Sequence, residues 1–298
     1  MNIRKAVIAA AGHGSRMLPA TKALPKEMMP VVDKPAIQYI IEELVEAGIE
    51  DILIITGRGK RAIEDHFDRN VEIHNALRKR DDRSMLDTLE RIEQLADIHY
   101  LRQRELLGTG HAVLKARRHI GDEPFAVLFG DDLVVSGTPC IGQLMDQYAI
   151  LGAPILAVKE VAREQVGSYG VIRSESINGA RLVKGLVEKP EPARAPSNLA
   201  CLGRYIFEPD IFDFLNRIDP AESGEYQLTD AIQLMIQSRP VYACPVKGDW
   251  HTVGDLLSYL QTTVALALTH PDVGESFREY LKKTVRPPSS DAEDSSGG

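Results

Sequence analysis

The apolar positions in the first half of the chain form two patterns that alternate along the sequence. Residues 6–11, 51–56 and 125–129 are short, almost continuous apolar runs. Such runs are typical of strands in a parallel sheet that is covered on both faces. Residues 72–97 are charged, with leucine and isoleucine at helical spacing, and they predict one or two amphipathic helices.

A further helical pattern follows the first apolar run. Its apolar positions recur every three or four residues, at Ile37, Ile40, Ile41, Leu44 and Val45. Pro35 stands near its start and Gly48 just past its end, where these residue types are favoured. The alternation of strands and helices predicts an α/β fold with a doubly wound sheet, mixed but mainly parallel, flanked by helices.

The second half of the chain is more varied and ends in helices. The predicted strands are residues 153–161, 170–173 and 185–188, and the predicted helices are residues 228–237, 256–268 and 275–282. Residues 190–196 are rich in proline and predict a loop. Residues 286–298 have no apolar cluster to bury and predict a disordered tail. We expect one domain over residues 1–285, with a helical C-terminal appendage from about residue 254.

Composition narrows the classes of function. Of the 298 residues, 44% are hydrophobic, which suffices for a buried core and excludes wholesale disorder. The formal net charge of −8 argues against nucleic acid or a membrane surface as partner, although a local basic cluster can still bind a phosphate. Apolar runs fall short of the roughly 18–20 residues of a membrane span. Three scattered cysteines without a C-x-x-C pair predict a reducing, cytoplasmic location.

The turn after the first apolar run carries the first candidate chemistry. Gly12 and Gly14 let backbone N–H groups approach an anion, and Arg16 and Lys26 follow as cations suited to a triphosphate. The third glycine of a dinucleotide motif would fall at Met17, which disfavours a dehydrogenase, and the P-loop lysine motif does not occur. By itself, the turn fits an anion site and a packing turn equally well.

Longer motifs extend this turn along the chain. Residues 11–35 read AGHGSRMLPATKALPKEMMPVVDKP, and further motifs stand at residues 103–112, 130–132, 169–171, 187–190, 197–200, 203–205 and 227–232. Together and in this order, they resemble the motifs of bacterial UTP–glucose-1-phosphate uridylyltransferases, within the wider family of sugar-nucleotide pyrophosphorylases. The resemblance runs from about residue 3 to about residue 283. It implies a Rossmann-like nucleotidyltransferase fold, with a nucleotide-binding part at about 1–135 and a sugar-phosphate part at about 136–253.

The resemblance also implies a reaction. A uridylyl group passes from UTP to glucose 1-phosphate by direct in-line displacement, with Mg²⁺ as cofactor, and the products are UDP-glucose and pyrophosphate. The attacking phosphate is already anionic near neutral pH, so the enzyme contributes positioning and charge stabilisation and needs no nucleophilic side chain. Family members are dimers or tetramers, so we expect a homo-oligomer.

Individual residues receive roles from the same resemblance. The catalytic residues are Arg16 and Lys26, and the Mg²⁺ ligand is Asp131. The nucleotide-binding residues are Ala11, Gly12, Gly14, Glu27, Gln103 and Gly108. The residues that bind the sugar phosphate are Gly170, Glu188 and Lys189.

The residue types suit these roles. The planar fork of Arg16 can span two phosphate oxygens, which a lysine cannot do. The amide of Gln103 offers one donor and one acceptor to the imide edge of uracil. Asp131 follows the apolar run 125–129, and the carboxyl end of a parallel strand is where such sheets bind ligands.

One position departs from the family pattern. The resemblance implies a second metal-binding aspartate late in the chain, but Thr252 stands there. Asp131 with the substrate phosphates could suffice, Asp249 or Asp255 could substitute, or activity could be reduced, and we favour the first. Two other functions compete with the main one: a thymidylyltransferase on the same fold, and a catalytically weak regulatory relative that binds nucleotide or a partner enzyme.

Overall fold

The computed structural model describes residues 3–221 and 224–285. The strands, in chain order, are β1 (Lys5–Ala10), β2 (Pro30–Val31), β3 (Lys34–Pro35), β4 (Asp51–Thr56), β5 (Asp97–Arg102), β6 (Phe125–Phe129), β7 (Asp132–Val135), β8 (Ile155–Glu160), β9 (Gly170–Ile177), β10 (Ala180–Glu188), β11 (Leu199–Phe207), β12 (Tyr242–Pro245) and β13 (Asp249–Thr252). The α-helices are α1 (Ala36–Glu46), α2 (Arg61–Phe67), α3 (Val71–Lys79), α4 (Arg83–Glu93), α5 (Thr109–Lys115), α6 (Arg117–Ile120), α7 (Cys140–Leu151), α8 (Ile211–Leu215), α9 (Leu228–Ser238), α10 (Leu256–Thr269) and α11 (Gly274–Thr284). Between β1 and β2 the chain makes three short 3₁₀ turns, at Ser15–Met17, Ala20–Lys22 and Lys26–Met28.

Nine strands in the described part of the chain form one sheet, in the order β5-β4-β1-β6-β11-β8-β12-β10-β9. The first four are parallel to one another. Only β11 and β10 run in the opposite direction, so seven of these nine strands point the same way. The predicted mixed, mainly parallel sheet is confirmed, and the carboxyl ends of β1, β4, β5 and β6 meet at one edge.

Helices bury both faces of the sheet, which explains the absence of alternation in its central strands. In β1, Ile8 joins a core with residues of α1 and α7, and Val7 joins a second core with residues of α5, α8 and α9. Both side chains are fully buried. A strand with two buried faces is apolar at every position, and its sequence becomes a continuous run.

Most predicted elements match the observed ones. The three apolar runs are β1, β4 and β6, the segment 72–97 holds α3 and α4, and the predicted C-terminal helices are α9, α10 and α11. The three predicted strands of the second half are β8, β9 and β10. Strands β9 and β10 are longer than predicted because Asn178 and Gly179, with φ of 52° and 82°, close them into a hairpin.

Several elements were not predicted, among them β5, β11, α5 and α7. Strand β5 lies at the edge of the sheet and is mostly exposed, so its polar residues produce no apolar run. Strand β11 is central but contains Arg204, whose buried charge interrupts the apolar pattern. The predicted tail, residues 286–298, lies outside the described residues.

None of the helices within residues 3–221 and 224–285 meets the requirements for a membrane span. The longest of them, α10, has 14 residues, against the roughly 20 that a bilayer requires.

Candidate active site

A cavity of about 490 Å³ opens at the edge of the sheet where β1, β5 and β6 end. Its volume lies within the range of small-molecule sites, about 300–1,000 Å³. The sequence-predicted residues that line it are Ala11, Gly12, Arg16, Lys26, Glu27, Gln103, Gly108, Asp131, Gly170, Glu188 and Lys189. The fold therefore brings together residues that are dispersed along most of the chain.

Gly14 does not line this cavity, in contrast to its predicted contact with the nucleotide. Its backbone is left-handed, with φ of 67°, and Thr21 Oγ1 donates a hydrogen bond of 2.8 Å to its carbonyl. A Cβ at this position would lie 3.2 Å from the Cβ of Lys26. Gly14 thus shapes the turn that carries Arg16 and Lys26, because a side chain there would be strained and crowded.

The centre of the cavity is a buried ion pair. Lys26 Nζ lies 2.5 Å from Asp131 Oδ2. Burial alone would raise the pKa of Asp131, but Lys26, and then Arg16, outweigh it and lower that pKa below its usual value. Burial would likewise lower the pKa of Lys26, but Asp131 and Glu27 raise it. Both groups are therefore charged at neutral pH.

Arg16, Asp131 and Thr252 surround Gly254. A Cβ added at Gly254 would lie 3.1 Å from Arg16 Nη2, 3.1 Å from Asp131 Oδ2 and 3.3 Å from Thr252 Oγ1. Thr252 Oγ1 donates to the Asp131 carbonyl at 3.1 Å and accepts from Gly254 N at 3.2 Å. Glycine at 254 leaves the space beside the carboxylate open, and Thr252 braces the backbone of Asp131.

Of the two aspartates that could replace the missing carboxylate, one is already hydrogen-bonded through both oxygens and the other lies outside the cavity. Both oxygens of Asp255 are engaged at the start of α10, where Ser258 N donates at 3.0 Å and Ser258 Oγ donates at 2.7 Å. Asp249 begins β13, is exposed, and does not line the cavity. Asp132 lines it, but its Oδ1 accepts from Trp250 Nε1 at 3.1 Å.

A second buried ion pair lies behind the first. Lys60, at the start of α2, places Nζ 2.5 Å from Glu27 Oε2, and both side chains are almost fully buried. Burial raises the pKa of Glu27 and lowers that of Lys60, because each charge is costly there. The other oxygen of Glu27, Oε1, is buried without a hydrogen-bond partner among the described residues. The pair fixes the 3₁₀ turn on which Lys26 sits.

We predict that Lys60→Met destabilises the protein by about 1–3 kcal/mol, because the buried Glu27 loses its partner. The raised pKa of Glu27 limits the loss, since this carboxyl can take up a proton. A carboxyl group whose pKa is raised in the folded state stabilises the protein at low pH, and this stability is lost as pH rises. The loss of unfolding free energy in Lys60→Met should therefore be smaller near pH 5 than near pH 8. Urea unfolding of both proteins at the two pH values measures this difference. Lys282→Met is the control, because its pair with Glu279 is exposed, and an equal loss there would contradict the prediction.

The orientation of the Gln103 amide is fixed by the protein. The buried Gln103 Nε2 donates to His111 Nδ1 at 2.8 Å and to the Gly108 carbonyl at 3.3 Å. The N–H groups of the amide are therefore already hydrogen-bonded within the protein, and Oε1 remains as an acceptor for a ligand. His111, at the start of α5, positions the amide.

A further part of the cavity wall is formed by Glu188, the last residue of β10, and by Lys189, which follows it. Lys189 Nζ lies 3.5 Å from Glu188 Oε1. Lys189 has φ of 45°, an uncommon conformation for a residue with a side chain, and its N–H donates to the Tyr169 carbonyl at 2.9 Å. Glu188 Oε2 would be 3.3 Å from a Cβ at Gly170, so the glycine admits this carboxylate to the wall. The wall offers one anion and one cation side by side.

Arg204 of β11 holds the segment that carries Asp131. The Arg204 side chain is fully buried, and its Nη2 donates to Glu43 Oε2 at 2.9 Å and to the Asp132 carbonyl at 2.7 Å. Its Nη1 donates to the Phe129 carbonyl at 3.4 Å. The guanidinium therefore bridges both sides of Asp131 and ties them to α1.

The cavity lining offers no activated nucleophile within residues 3–221 and 224–285. Cys201 lines the cavity, but burial, and then the charge of Glu188, raise the pKa of its thiol to about 12. The hydroxyls of the lining threonines and Ser168 have no hydrogen bond to a histidine in the described ranges. The arrangement is suited to binding and stabilising anions rather than to covalent catalysis.

Comparison with known proteins places this site in a family. A family model described as nucleotidyl transferase matches residues 5–268. The chain belongs to the nucleotidyl transferase family. The UTP–glucose-1-phosphate uridylyltransferase YngB of Bacillus subtilis (strain 168) is 48% identical over 285 residues, covering 95% of this chain and 96% of that relative. A UTP–glucose-1-phosphate uridylyltransferase of Staphylococcus epidermidis (strain ATCC 12228 / FDA PCI 1200) is 47% identical over 282 residues, covering 94% and 98%.

Solved structures of similar nucleotidyl transferases have the same fold. A UDP-glucose pyrophosphorylase complexed with UDP-glucose superposes with a TM-score of 0.81 at 40% identity, covering 90% of this chain and 100% of that chain. A UTP-bound UGPase from Acinetobacter baumannii superposes with a TM-score of 0.84 at 37% identity, covering 94% and 99%. The predicted family and fold class are confirmed.

In this nucleotidyl transferase, the sequence motifs did not lead to every residue of the site. Lys60 was missed, although it follows β4 at the same edge of the sheet and the strand-end rule could have found it. Trp250 was also missed as a partner of Asp132. Burial, and then the charge of Asp131, raise the pKa of Asp132 to about 7. These contacts join segments distant in sequence, which spacing does not reveal.

Proposed function

We propose that this nucleotidyl transferase transfers a uridylyl group from UTP to glucose 1-phosphate. The observation that carries the proposal is the convergence of Arg16, Lys26 and Asp131 in one cavity whose lining also includes Glu188 and Lys189. The names of the relatives supply the substrates: UTP and glucose 1-phosphate are those of the B. subtilis enzyme, and UTP and UDP-glucose occupy the similar solved structures.

The reaction needs positioning and charge. A phosphate oxygen of glucose 1-phosphate bonds to the α-phosphorus of UTP, the bond from that phosphorus to the β-phosphate bridging oxygen breaks, and pyrophosphate leaves with the electron pair. Arg16 and Lys26 stabilise the charge that develops on the phosphates, and Lys189 neutralises the sugar phosphate. Glu188 accepts hydrogen bonds from glucose hydroxyls, and Ala11, Gly12, Gly108 and Gln103 hold the nucleoside.

The residues around Asp131 fit Mg²⁺. This ion takes one or two carboxylates together with phosphate oxygens and water, and the lowered pKa of Asp131 keeps that carboxylate ionised. Asp255 and Asp132 are engaged in other hydrogen bonds, which favours Asp131 with the substrate phosphates as ligands. When bound, Mg²⁺ supplies neutralisation of phosphate charge.

We predict that Thr252→Asp changes the apparent Mg²⁺ affinity by less than about tenfold, which corresponds to about 1.4 kcal/mol. A carboxylate there gains a ligand but loses the hydrogen bond that Thr252 donates to the Asp131 carbonyl. Initial rates over a Mg²⁺ titration measure the change, with Thr252→Asn as the uncharged control. An increase of several orders of magnitude in rate would mean that a missing ligand limits the wild-type enzyme.

We predict that Gln103→Ala lowers the preference for UTP over CTP by about tenfold, or ~1.4 kcal/mol. Gln103 Oε1 accepts from the N3–H of uracil, whereas N3 of cytosine carries no hydrogen. The ratio of kcat/KM values for the two nucleotides measures the preference. Gln227→Ala is the control, because that amide donates to Glu225 on the exposed rim of the cavity. An unchanged ratio in Gln103→Ala would remove Gln103 from base selection.

The proposal extends to assembly and location. Leu256, Leu257, Leu260 and Val264 form an exposed apolar face on α10, which supports a homo-oligomer, dimer or tetramer, with this face against a second copy. Light scattering of Leu257→Glu, compared with wild type, tests this assignment. The three cysteines are free and buried, which supports the reducing cytoplasm as the location.

A panel of nucleotides tests the substrate assignment. Thermal unfolding is followed with UTP, dTTP, CTP, ATP, GTP and NAD, each with and without Mg²⁺. UTP with Mg²⁺ should give the largest rise in Tm, because a ligand that binds only the folded state stabilises it. A larger rise with dTTP would favour a thymidylyltransferase. A rise with UTP in a protein that forms no UDP-glucose from UTP and glucose 1-phosphate would favour a regulatory relative.

A further inference from the structure

We propose that Asp51, His99 and His119 form a second metal site, for a late first-row divalent cation of the Zn²⁺ type. One ligand atom from each residue lies within 4.8 Å of the others. The site stands at the amino ends of the parallel strands, opposite the cavity, and is separate from Asp131. It does not depend on the proposed function.

The sheet assembles these residues from segments far apart in sequence. Asp51 begins β4, and its register partner in β5 is Asp97. His99 follows Asp97 by two positions and therefore shares its face of the sheet, diagonally beside Asp51. His119 comes from α6, which packs over this face. The spacing of the histidines along the chain gives no indication of the cluster.

The distances are close to those of a coordination sphere. His119 Nε2 lies 2.7 Å from Asp51 Oδ1, and His99 Nε2 lies 3.9 Å from the same oxygen. The centroids of the two imidazole rings are 4.8 Å apart. Ligand atoms of one tetrahedral Zn²⁺, with bonds of about 2.0–2.1 Å, are about 3.3 Å apart. Binding an ion would therefore require His99 Nε2 to move closer to Asp51 Oδ1 and His119 Nε2 to move away from it, each by about 0.6 Å.

The donor set selects the class of metal. Two imidazole nitrogens and one carboxylate suit Zn²⁺ and its neighbours, whereas Mg²⁺ prefers oxygen ligands. The side chains of His119, Asp51 and His99 are 24%, 34% and 45% exposed, so an ion can enter and retain water. The nearby Lys5 is engaged elsewhere, because its Nζ contacts Glu123 and the carbonyls of His119 and Ile120. Asp97 adds a further negative charge, 3.5 Å from His99 Nε2.

A metal here would hold the edge of the sheet. Strand β5 is the outermost strand and is mostly exposed, and the three ligands belong to β5, β4 and α6. A bound ion would cross-link these elements in the folded state alone and raise its stability. Catalysis should not change, because Gln103 and Lys60 follow the opposite ends of β5 and β4.

Calorimetric titration of the full chain with Zn²⁺ alone tests the proposal. We expect one site, and we expect His99→Gln and His119→Gln each to weaken Zn²⁺ binding to it by about 10- to 100-fold or more. That range is known for mutating groups that hydrogen-bond to metal ligands, and removing a ligand itself should cost at least as much. Two controls should keep it: Asp131→Asn, which removes the carboxylate of the cavity, and His270→Gln, whose imidazole has a single carboxylate partner, Asp33. Thermal unfolding without metal checks that each variant folds, and Asp51→Asn replaces any variant that does not.

A second readout separates a built site from surface binding. Co²⁺ should give visible d–d absorption with wild type that excess Mg²⁺ does not displace and that His99→Gln abolishes. The wild-type Tm should rise with Zn²⁺, and the rise should vanish in His119→Gln. Zn²⁺ binding equal in wild type and both histidine variants, or lost in Asp131→Asn, would overturn the proposal.

Discussion

Arg16→Ala should lower kcat by about 10³- to 10⁵-fold, the range for removing an arginine that stabilises phosphoryl transfer. This loss corresponds to about 4–7 kcal/mol of transition-state stabilisation. The reason is geometric: Arg16 Nη2 reaches the open space beside Asp131, where the reacting phosphates would lie. Arg16 is exposed, so the variant should fold normally and lose rate rather than stability.

Two matched variants distinguish the effect of the planar guanidinium on the rate from the effect of positive charge alone. Arg16→Lys keeps the charge but not the planar fork, and its rate should lie between those of wild type and Arg16→Ala. Lys22→Ala removes a neighbouring exposed cation that does not line the cavity, and it should leave kcat unchanged. Steady-state kinetics with UTP measure all three. A drop of less than about tenfold in Arg16→Ala would contradict a role in the transition state.

Arg204→Met should destabilise the protein by about 3–5 kcal/mol, the cost of breaking a buried ion pair by removing one partner. Glu43 would lose the guanidinium that now neutralises it, with Ile141 N remaining as a donor at 3.0 Å. The carbonyls of Phe129 and Asp132 would lose a donor as well. Because those carbonyls flank Asp131, the variant should also bind Mg²⁺ more weakly.

The double variant Arg204→Met/Glu43→Leu tests the cause of that loss. It removes both buried charges, so it should be more stable than Arg204→Met alone, with a coupling of about 0.5–3 kcal/mol between the two positions. Urea unfolding of the four proteins of the cycle measures the coupling. Additive losses would mean that packing, and not the charge of Glu43, explains the destabilisation.

The sequence predicts the fold best where burial is simple. Strands β1, β4 and β6 are buried on both faces, and an uninterrupted apolar run is the direct consequence. Strand β11 is equally central, but it carries Arg204, and nothing local indicates that Glu43 neutralises that charge. The edge strand β5 is not predicted either, because it is mostly exposed and has little apolar surface to bury.

Some residues of the candidate site can be placed from the sequence, and others cannot. Asp131 can be placed from the sequence because it ends a buried strand, and the glycine turn after β1 can be placed for the same reason. Lys60 follows β4 at the same edge, so its position could have been predicted, but its pairing with Glu27 could not. The cluster of Asp51, His99 and His119 cannot be placed from the sequence, because strand register and helix packing bring its members together. Gly14 lies outside the cavity lining, and the sequence does not indicate this because a glycine that shapes a loop and one that admits a ligand look alike in sequence.

The formation of UDP-glucose by the purified full-length protein tests the central claim most directly. Glucose 1-phosphate is supplied with UTP and Mg²⁺, and the nucleotide sugar and pyrophosphate are both quantified, with dTTP in place of UTP as the comparison. The account predicts equal amounts of UDP-glucose and pyrophosphate with UTP, dependence on Mg²⁺, and much slower turnover with dTTP. Faster turnover with dTTP, or the absence of any nucleotide sugar despite binding of UTP, would contradict it.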